Sequence, residues 1–322
     1  MLEKMATSLS RRQFLTRTSA ALAGGALLGP AAFSAPSESD AFSINLFSKH
    51  LQFLGYDDLA RAAADMGFRG LDLTVRPGGH IEPANVTTDL PRAVAAIRKA
   101  GLNPLMMTTA ISDPDDPLTR TVLQTAAHEG IRYYRTAWFQ YPATGSLPAA
   151  LTDFRRKING LSKLNQEFGL QGAYQNHSGT YVGASLWEIH ELLREAPATT
   201  MGCQYDIRHA TVEGGLSWTT GLRLIAPRVN SIDIKDFRWE AEGGKARLVN
   251  KPLGEGTVEF GRYFQLVKQY GIRGPISLHF EYDLGGAESG SRTPKMPNTQ
   301  IFTAMQRDVQ TLKRLLDEAE LR

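Results

Sequence analysis

Residues 229–236 read Val-Asn-Ser-Ile-Asp-Ile-Lys-Asp, and residues 274–281 read Gly-Pro-Ile-Ser-Leu-His-Phe-Glu. Successive side chains on an extended chain point to opposite sides, so each run divides into two faces. In the first, Ile232 and Ile234 fall on one face and Asp233 and Lys235 on the other. In the second, Leu278 and Phe280 oppose His279 and Glu281. An apolar face packs on helices, which leaves the charged face turned toward an enclosed centre. The same alternation sends Tyr205 and Ile207 outward with Gln204 and Asp206 inward, and it pairs Gln175 with His177.

Working outward from these runs, strand-length apolar segments recur near 42–48, 69–75, 103–109, 131–138, 171–177, 201–207, 229–235 and 275–281. Between them, helical periodicity predicts helices near 56–66, 88–100, 116–129, 148–168, 184–195, 214–226, 258–270 and 298–319. Asp57 and Asp58 open the first helix, and Gly67, Gly101 and Gly130 follow the first three, as start and stop signals should. Eight strands each followed by a helix, over residues 42–320, predict an α/β fold of the (β/α)8 TIM-barrel type in one domain. A doubly wound open sheet is the alternative, but no glycine-rich phosphate fingerprint follows the first strand. Two long connectors, 236–257 and 284–297, leave the C-terminal ends of strands, where such barrels place their sites. The first has the look of an inserted hairpin around Glu242-Gly243-Gly244.

The 322 residues are 42% hydrophobic and 21% charged, the balance of an ordinary globular chain with enough apolar material for a core, so a disordered or fibrous chain is excluded. Cys203 is the only cysteine and can form no internal disulfide. The formal charge of +3 is carried entirely by Glu3, Lys4, Arg11, Arg12 and Arg17, so the remainder is neutral and offers no footprint for nucleic acid. Ser10-Arg11-Arg12-Gln13-Phe14-Leu15, followed by an uncharged stretch rich in Ala, Leu and Gly, resembles a twin-arginine signal peptide spanning 1–34. That resemblance implies a periplasmic or secreted protein, exported folded, with no membrane attachment after cleavage.

Five of the seven histidines, His50, His80, His177, His209 and His279, fall at or just after the C-terminal ends of predicted strands. Together with the inward residues they give the upper barrel Gln175, His177, Asp206, Asp233, Lys235, His279 and Glu281. So many buried polar groups must either satisfy one another or hold an ion and a polar ligand. Oxygen-rich ligation with one or two imidazoles suits Mn, Mg, Co or Zn. Trp138, with Phe139, Tyr141 and Trp239 near the same rim, is an aromatic that either stacks on a ligand ring or packs in the core, the two readings being equally open.

These residues carry a resemblance. Tyr174-Gln175-Asn176-His177, Asp206-Ile207-Arg208-His209, Asp233-Ile234-Lys235-Asp236, Leu253-Gly254-Glu255-Gly256-Thr257-Val258-Glu259-Phe260 and Gly274 to Glu281 follow the order of the sugar phosphate isomerase/epimerase family, the xylose isomerase-like TIM barrels. The resemblance implies one divalent metal held by Glu, Asp, His and Glu from successive strands, the two Glu acting as the acid/base pair. Asp206 matches the family Asp and His209 the substrate-contacting histidine, with His80, Trp138 and Arg208 as further substrate contacts. Three positions depart: Gln175 stands for Glu, Asp233 for His, and His279 for the last Glu, which Glu281 could replace. The metal candidates are therefore Asp206, Asp233, His279 and Gln175.

A neutral Gln cannot accept a proton, so the symmetrical two-Glu mechanism is lost and the proton mover becomes Glu281, His177 or Lys235. What the resemblance still implies is metal-assisted enolisation of a keto-sugar or keto-glycoside, with epimerase, isomerase or lyase outcomes. A neutral sugar derivative fits better than a sugar phosphate. The alternatives are a catalytically inactive sugar-binding barrel and a phosphodiesterase related to the zinc endonucleases, the latter disfavoured by the neutral mature charge.

Overall fold

The computed structural model describes residues 41–322; the segment read as a signal peptide lies outside them. The first half of the chain runs β1 (Ile44–Phe47), α1 (Tyr56–Asp65), β2 (Gly70–Val75), α2 (Val86–Lys99), β3 (Asn103–Thr109), α3 (Pro117–His128), β4 (Tyr133–Arg135) and α4 (Leu147–Phe168). The second half runs β5 (Gln171–Gln175), α5 (Leu186–Leu193), β6 (Met201–Asp206), α6 (Ile207–Gly214), α7 (Trp218–Ile225), β7 (Val229–Ile234), β8 (Asp236–Glu242), β9 (Lys245–Lys251), α8 (Phe260–Gln269), β10 (Ile276–Leu278) and α9 (Asn298–Glu318). Strands β1 to β7 and β10 close into a parallel eight-stranded barrel in chain order, with β10 returning to β1. The expected (β/α)8 barrel is the fold.

Outward residues make the main core. Leu46, Leu71, Tyr174, Tyr205, Ile232, Ile234 and Leu278 are buried against the helices, as the alternation predicts. A second, smaller cluster of Leu105, Met106 and Tyr133 is separate from it. Helix ends follow local chemistry: Ser185 caps α5 in a reciprocal capping box with Glu188, and Gly169 closes α4 in the left-handed region at φ 71°.

The helix expected over 214–226 is α7, and a separate helix, α6, that the sequence reading did not include precedes it. Asp206 turns its carboxylate onto the His209 amide at 3.0 Å and starts α6 directly at the end of β6, ahead of the periodic stretch that forms α7. The inserted hairpin is real and longer than its turn suggested. β8 and β9 pair antiparallel around Gly243 and Gly244, whose φ values of 58° and 77° suit a tight two-residue turn that glycine makes without strain. Its base is fixed by Asp236, whose carboxylate accepts from the amides of Phe237, Gly254 and Gly256 at 2.8–3.0 Å. The Leu253-to-Phe260 motif thus anchors a loop. Among the described residues, no helix is long and apolar enough to cross a membrane.

Candidate active site

Parallel pairing places Asp206 beside Asp233 and Gln175 beside Gln204 in register, so inward side chains of β5, β6 and β7 meet at one level. Asp206 and Asp233 are wholly buried. The Gln175 amide nitrogen donates to Asp206 Oδ2 at 2.9 Å and also to Asp233, while Gln204 donates to the second oxygen of Asp233. The Gln175 oxygen accepts from Arg135 Nη1 at 2.6 Å, which fixes which end of the amide faces the carboxylates. Lys235 Nζ lies 3.0 Å from Asp206 Oδ2 and 3.4 Å from Glu281 Oε1. His279 Nε2 sits 3.4 Å from Asp233 Oδ1 and its Nδ1 3.8 Å from Glu281, with the ring stacked on Phe47 at 4.3 Å.

Electrostatics sort the charges. Burial opposes ionisation of Lys235, but Asp206 and Glu281 outweigh it and hold the ammonium above its ordinary pKa. Burial likewise opposes the Glu281 carboxylate, yet Lys235, His279 and Lys49 keep it well below the usual range. Asp206 is pushed up by burial, only partly offset by Lys235, whereas His279, Lys235 and Arg135 overcome burial and lower Asp233. His279 is pulled down by burial but held above its ordinary value by Asp233. Lys235 is therefore held as a cation between two carboxylates, and Glu281 is held ionised with a lone pair free to accept a proton.

These residues open onto a cavity of about 250 Å³ at the C-terminal face. From the second half of the chain it is lined by Gln175, His177, Lys235, His279 and Glu281. His177 gives its Nδ1 to the Ser178 carbonyl at 2.8 Å, leaving Nε2 as a lone-pair acceptor, and burial drops its pKa to about 4. Of the expected substrate contacts, Trp138 lines the cavity, packed 4.5 Å from the His177 ring. The others are not on its wall. The His209 ring lies 4.0 Å from that of His177, tilted by 38°, with Nδ1 on Ser178 Oγ. Arg208 bonds Ser178 and, at 2.8 Å, Asn250 of the hairpin. His80 is held by Thr74 through its amide and ring nitrogen. His50 accepts the Phe280 amide at 3.1 Å and so braces the eighth barrel strand.

The first half contributes Phe47, Lys49, Arg76 and Arg135 to the same wall, none of them named from the sequence. A signal existed: Leu71, Leu73 and Val75 are buried on one face of β2, which leaves Asp72, Thr74 and Arg76 on the other, and Tyr133 and Arg135 share a parity on β4.

The four positions expected to hold a divalent ion are brought together, but they do not make a ligand set. Gln175 offers N–H groups where an ion needs lone pairs, and the Lys235 ammonium already sits against Asp206. Among the described residues, no group of three or more His, Cys, Asp or Glu side chains is arranged to hold a metal. With the Gln175 amide donating to Asp206 and the Lys235 ammonium seated against it, protein purified without chelator is expected to carry far less than one equivalent of Mn, Mg, Co or Zn by elemental analysis. A stoichiometric ion, or a clear rise in melting temperature with any of the four, overturns this.

The pattern of the xylose isomerase-like TIM barrel family matches residues 60–319. An inosose dehydratase of Halalkalibacterium halodurans is 26% identical over 137 residues, 39% of this chain and 45% of that protein, so the match spans less than half of the relative. A D-allulose 3-epimerase from Methylomonas sp. superposes with a TM-score of 0.65 at 16% identity, covering 86% of this chain and 99% of that one. A 3-keto-D-glucoside 4-epimerase from E. coli gives 0.62 at 14% identity, covering 85% and 99%. At these identities the superpositions speak to the fold.

Proposed function

Because the chain belongs to the xylose isomerase-like TIM barrel family, we propose that its cavity takes a keto-sugar or keto-glycoside and moves the proton on the carbon beside the carbonyl. The observation that carries this is Glu281. It is a carboxylate kept ionised on the cavity wall, 3.4 Å from an ammonium that cannot leave. In this reading Glu281 takes the α-hydrogen while Lys235 faces the charge that develops on the oxygen, as a preorganised donor. His177 stands three strands round the barrel from Glu281, so the two bases approach a bound ring from different sides. Two bases so placed allow a proton to leave one face and return to the other. With a leaving group on the next carbon, the same enediolate eliminates.

Members of this family commonly use a divalent metal as the electrophile. Here no step is assigned to one, because the donors at those positions are engaged by Lys235, Arg135 and one another. The test is wash-in of deuterium at the carbon next to the carbonyl when the protein is incubated with keto-sugars and keto-glycosides in heavy water. A second reading, a sugar-binding barrel without turnover, is favoured by Gln175, a neutral amide at a family acid/base position. Sugars that bind without any exchange would establish it.

We also propose, from Arg11 and Arg12, that the chain is exported by the twin-arginine route. Replacing both by Lys is expected to leave precursor in the cytoplasm of the expressing cell. Unchanged export of that variant removes the proposal.

A further inference from the structure

Four cationic side chains line the cavity, Lys49, Arg76, Arg135 and Lys235, against one anionic side chain, Glu281. Their partners are unequal. Lys235 is matched by Asp206 and Glu281, and Lys49 lies 3.8 Å from Glu281. Among the described residues, neither guanidinium has a carboxylate within ion-pair distance. Arg135 is 4% exposed; its guanidinium donates at 2.6 Å to the neutral Gln175 oxygen, and its Nε has no partner. Nearby on the same wall the Trp138 indole N–H is also unpartnered, with the Arg135 guanidinium over its ring at 4.3 Å. Arg76 and Lys49 each sit 5.6 Å from the Phe47 ring.

Asp72, Asp206 and Asp233 attract Arg135 through space, but their oxygens are already taken. Asp72 accepts from Thr108 and Ser277, and the other two from Gln175, Gln204 and Lys235. Leaving a buried guanidinium nitrogen unbonded, beside two more cations that repel it, is costly unless something anionic completes the arrangement. The guanidinium fork matches the two oxygens of a carboxylate or phosphate, a geometry an ammonium lacks.

We propose that the ligand of this cavity carries an anionic substituent, a sugar carboxylate or a phosphate ester, held by Arg76 and Arg135 with Lys49 beside them. This rests on the reading of the cavity as a keto-sugar site and names the class of that sugar. It replaces the expectation of a neutral sugar. The anion binds against the wall supplied by the first half of the barrel, at Arg76 and Arg135, which leaves the carbonyl end to Lys235 and Glu281.

The test is calorimetric titration of the full chain, at fixed ionic strength, with D-fructose, D-fructose 6-phosphate and 5-keto-D-gluconate. At least one anionic ketose is expected to bind ten times more tightly than D-fructose or better, and to weaken as salt is raised. Whether the phosphate or the carboxylate does so identifies the substituent. Arg76→Gln, at a half-buried position, is expected to abolish the preference while leaving D-fructose binding within twofold, and Arg76→Lys to restore part of it. Equal affinity for all three, no binding of either anion, or an equal loss for neutral and anionic ketoses in Arg76→Gln overturns the proposal. An anion that binds with this dependence on Arg76 but shows no deuterium exchange sinks the proton-transfer reading and leaves this one standing. Exchange of D-fructose with an affinity equal to that of the anions does the reverse.

Discussion

Lys235→Met is expected to lower the stability of the barrel by about 3–5 kcal/mol at pH 7, the usual consequence of removing one partner from a buried ion pair. Lys235 is 4% exposed and is the cation nearest Asp206, which is wholly buried. Met fills much of the same volume, so the loss reports charge and not a cavity. The sign with pH is definite. Burial already raises the Asp206 pKa, and losing Lys235 raises it further. A carboxyl whose folded pKa exceeds its unfolded value costs stability above the folded pKa, and that cost disappears as pH falls through it. The deficit of the variant is therefore largest at neutral pH and narrows on acidification. Urea unfolding of wild type and variant at pH 7 and pH 5 measures this. Adding Asp206→Asn to Lys235→Met should recover a large part of the deficit at pH 7, because the uncompensated charge is gone. A deficit below about 1 kcal/mol, or one that does not shrink at pH 5, would mean that another cation holds Asp206.

Glu281→Gln is expected to slow deuterium exchange by roughly 10²–10⁴-fold, the range a positioned general base contributes, with ligand binding retained. Gln keeps the size and the hydrogen-bonding reach of Glu281 but has no lone pair of useful basicity. His177→Ala is expected to retain exchange from one face while losing transfer to the other, so that product configuration changes more than the exchange rate. If exchange survives Glu281→Gln and vanishes in His177→Ala, the roles are reversed. If both variants exchange as wild type does, neither residue is the base. The comparison is clean because the two side chains hang from separate strands and have no bond in common.

Much of this architecture is local in origin. Alternation in 229–235 and 275–281 needs only the two-residue period of an extended chain, and it placed Asp233, Lys235, His279 and Glu281 inside the barrel before any contact was known. Helix periodicity and the glycines at 67, 101 and 130 marked their elements for the same reason, since each signal lies within a turn or two of chain. The hairpin was visible in Gly243-Gly244, where the turn itself dictates the backbone. The extra helix α6, ahead of the expected 214–226 helix, was not legible, because it begins on a side-chain cap by Asp206, a strand residue that the pattern had assigned wholly to the barrel interior.

What the tertiary structure alone decided is the state of the charges. Gln175, Asp206 and Asp233 read as ion ligands when taken position by position. Whether Gln175 presents oxygen or nitrogen depends on Arg135, forty residues earlier and on the neighbouring strand. Lys235 neutralises Asp206 because closure of the barrel brings β6 and β7 side by side, and Arg76 and Lys49 reach the same cavity because β10 returns to β1. Periodicity says which way a side chain points. The partner it meets, and hence its charge and its chemistry, is set by long-range closure, which no local pattern encodes.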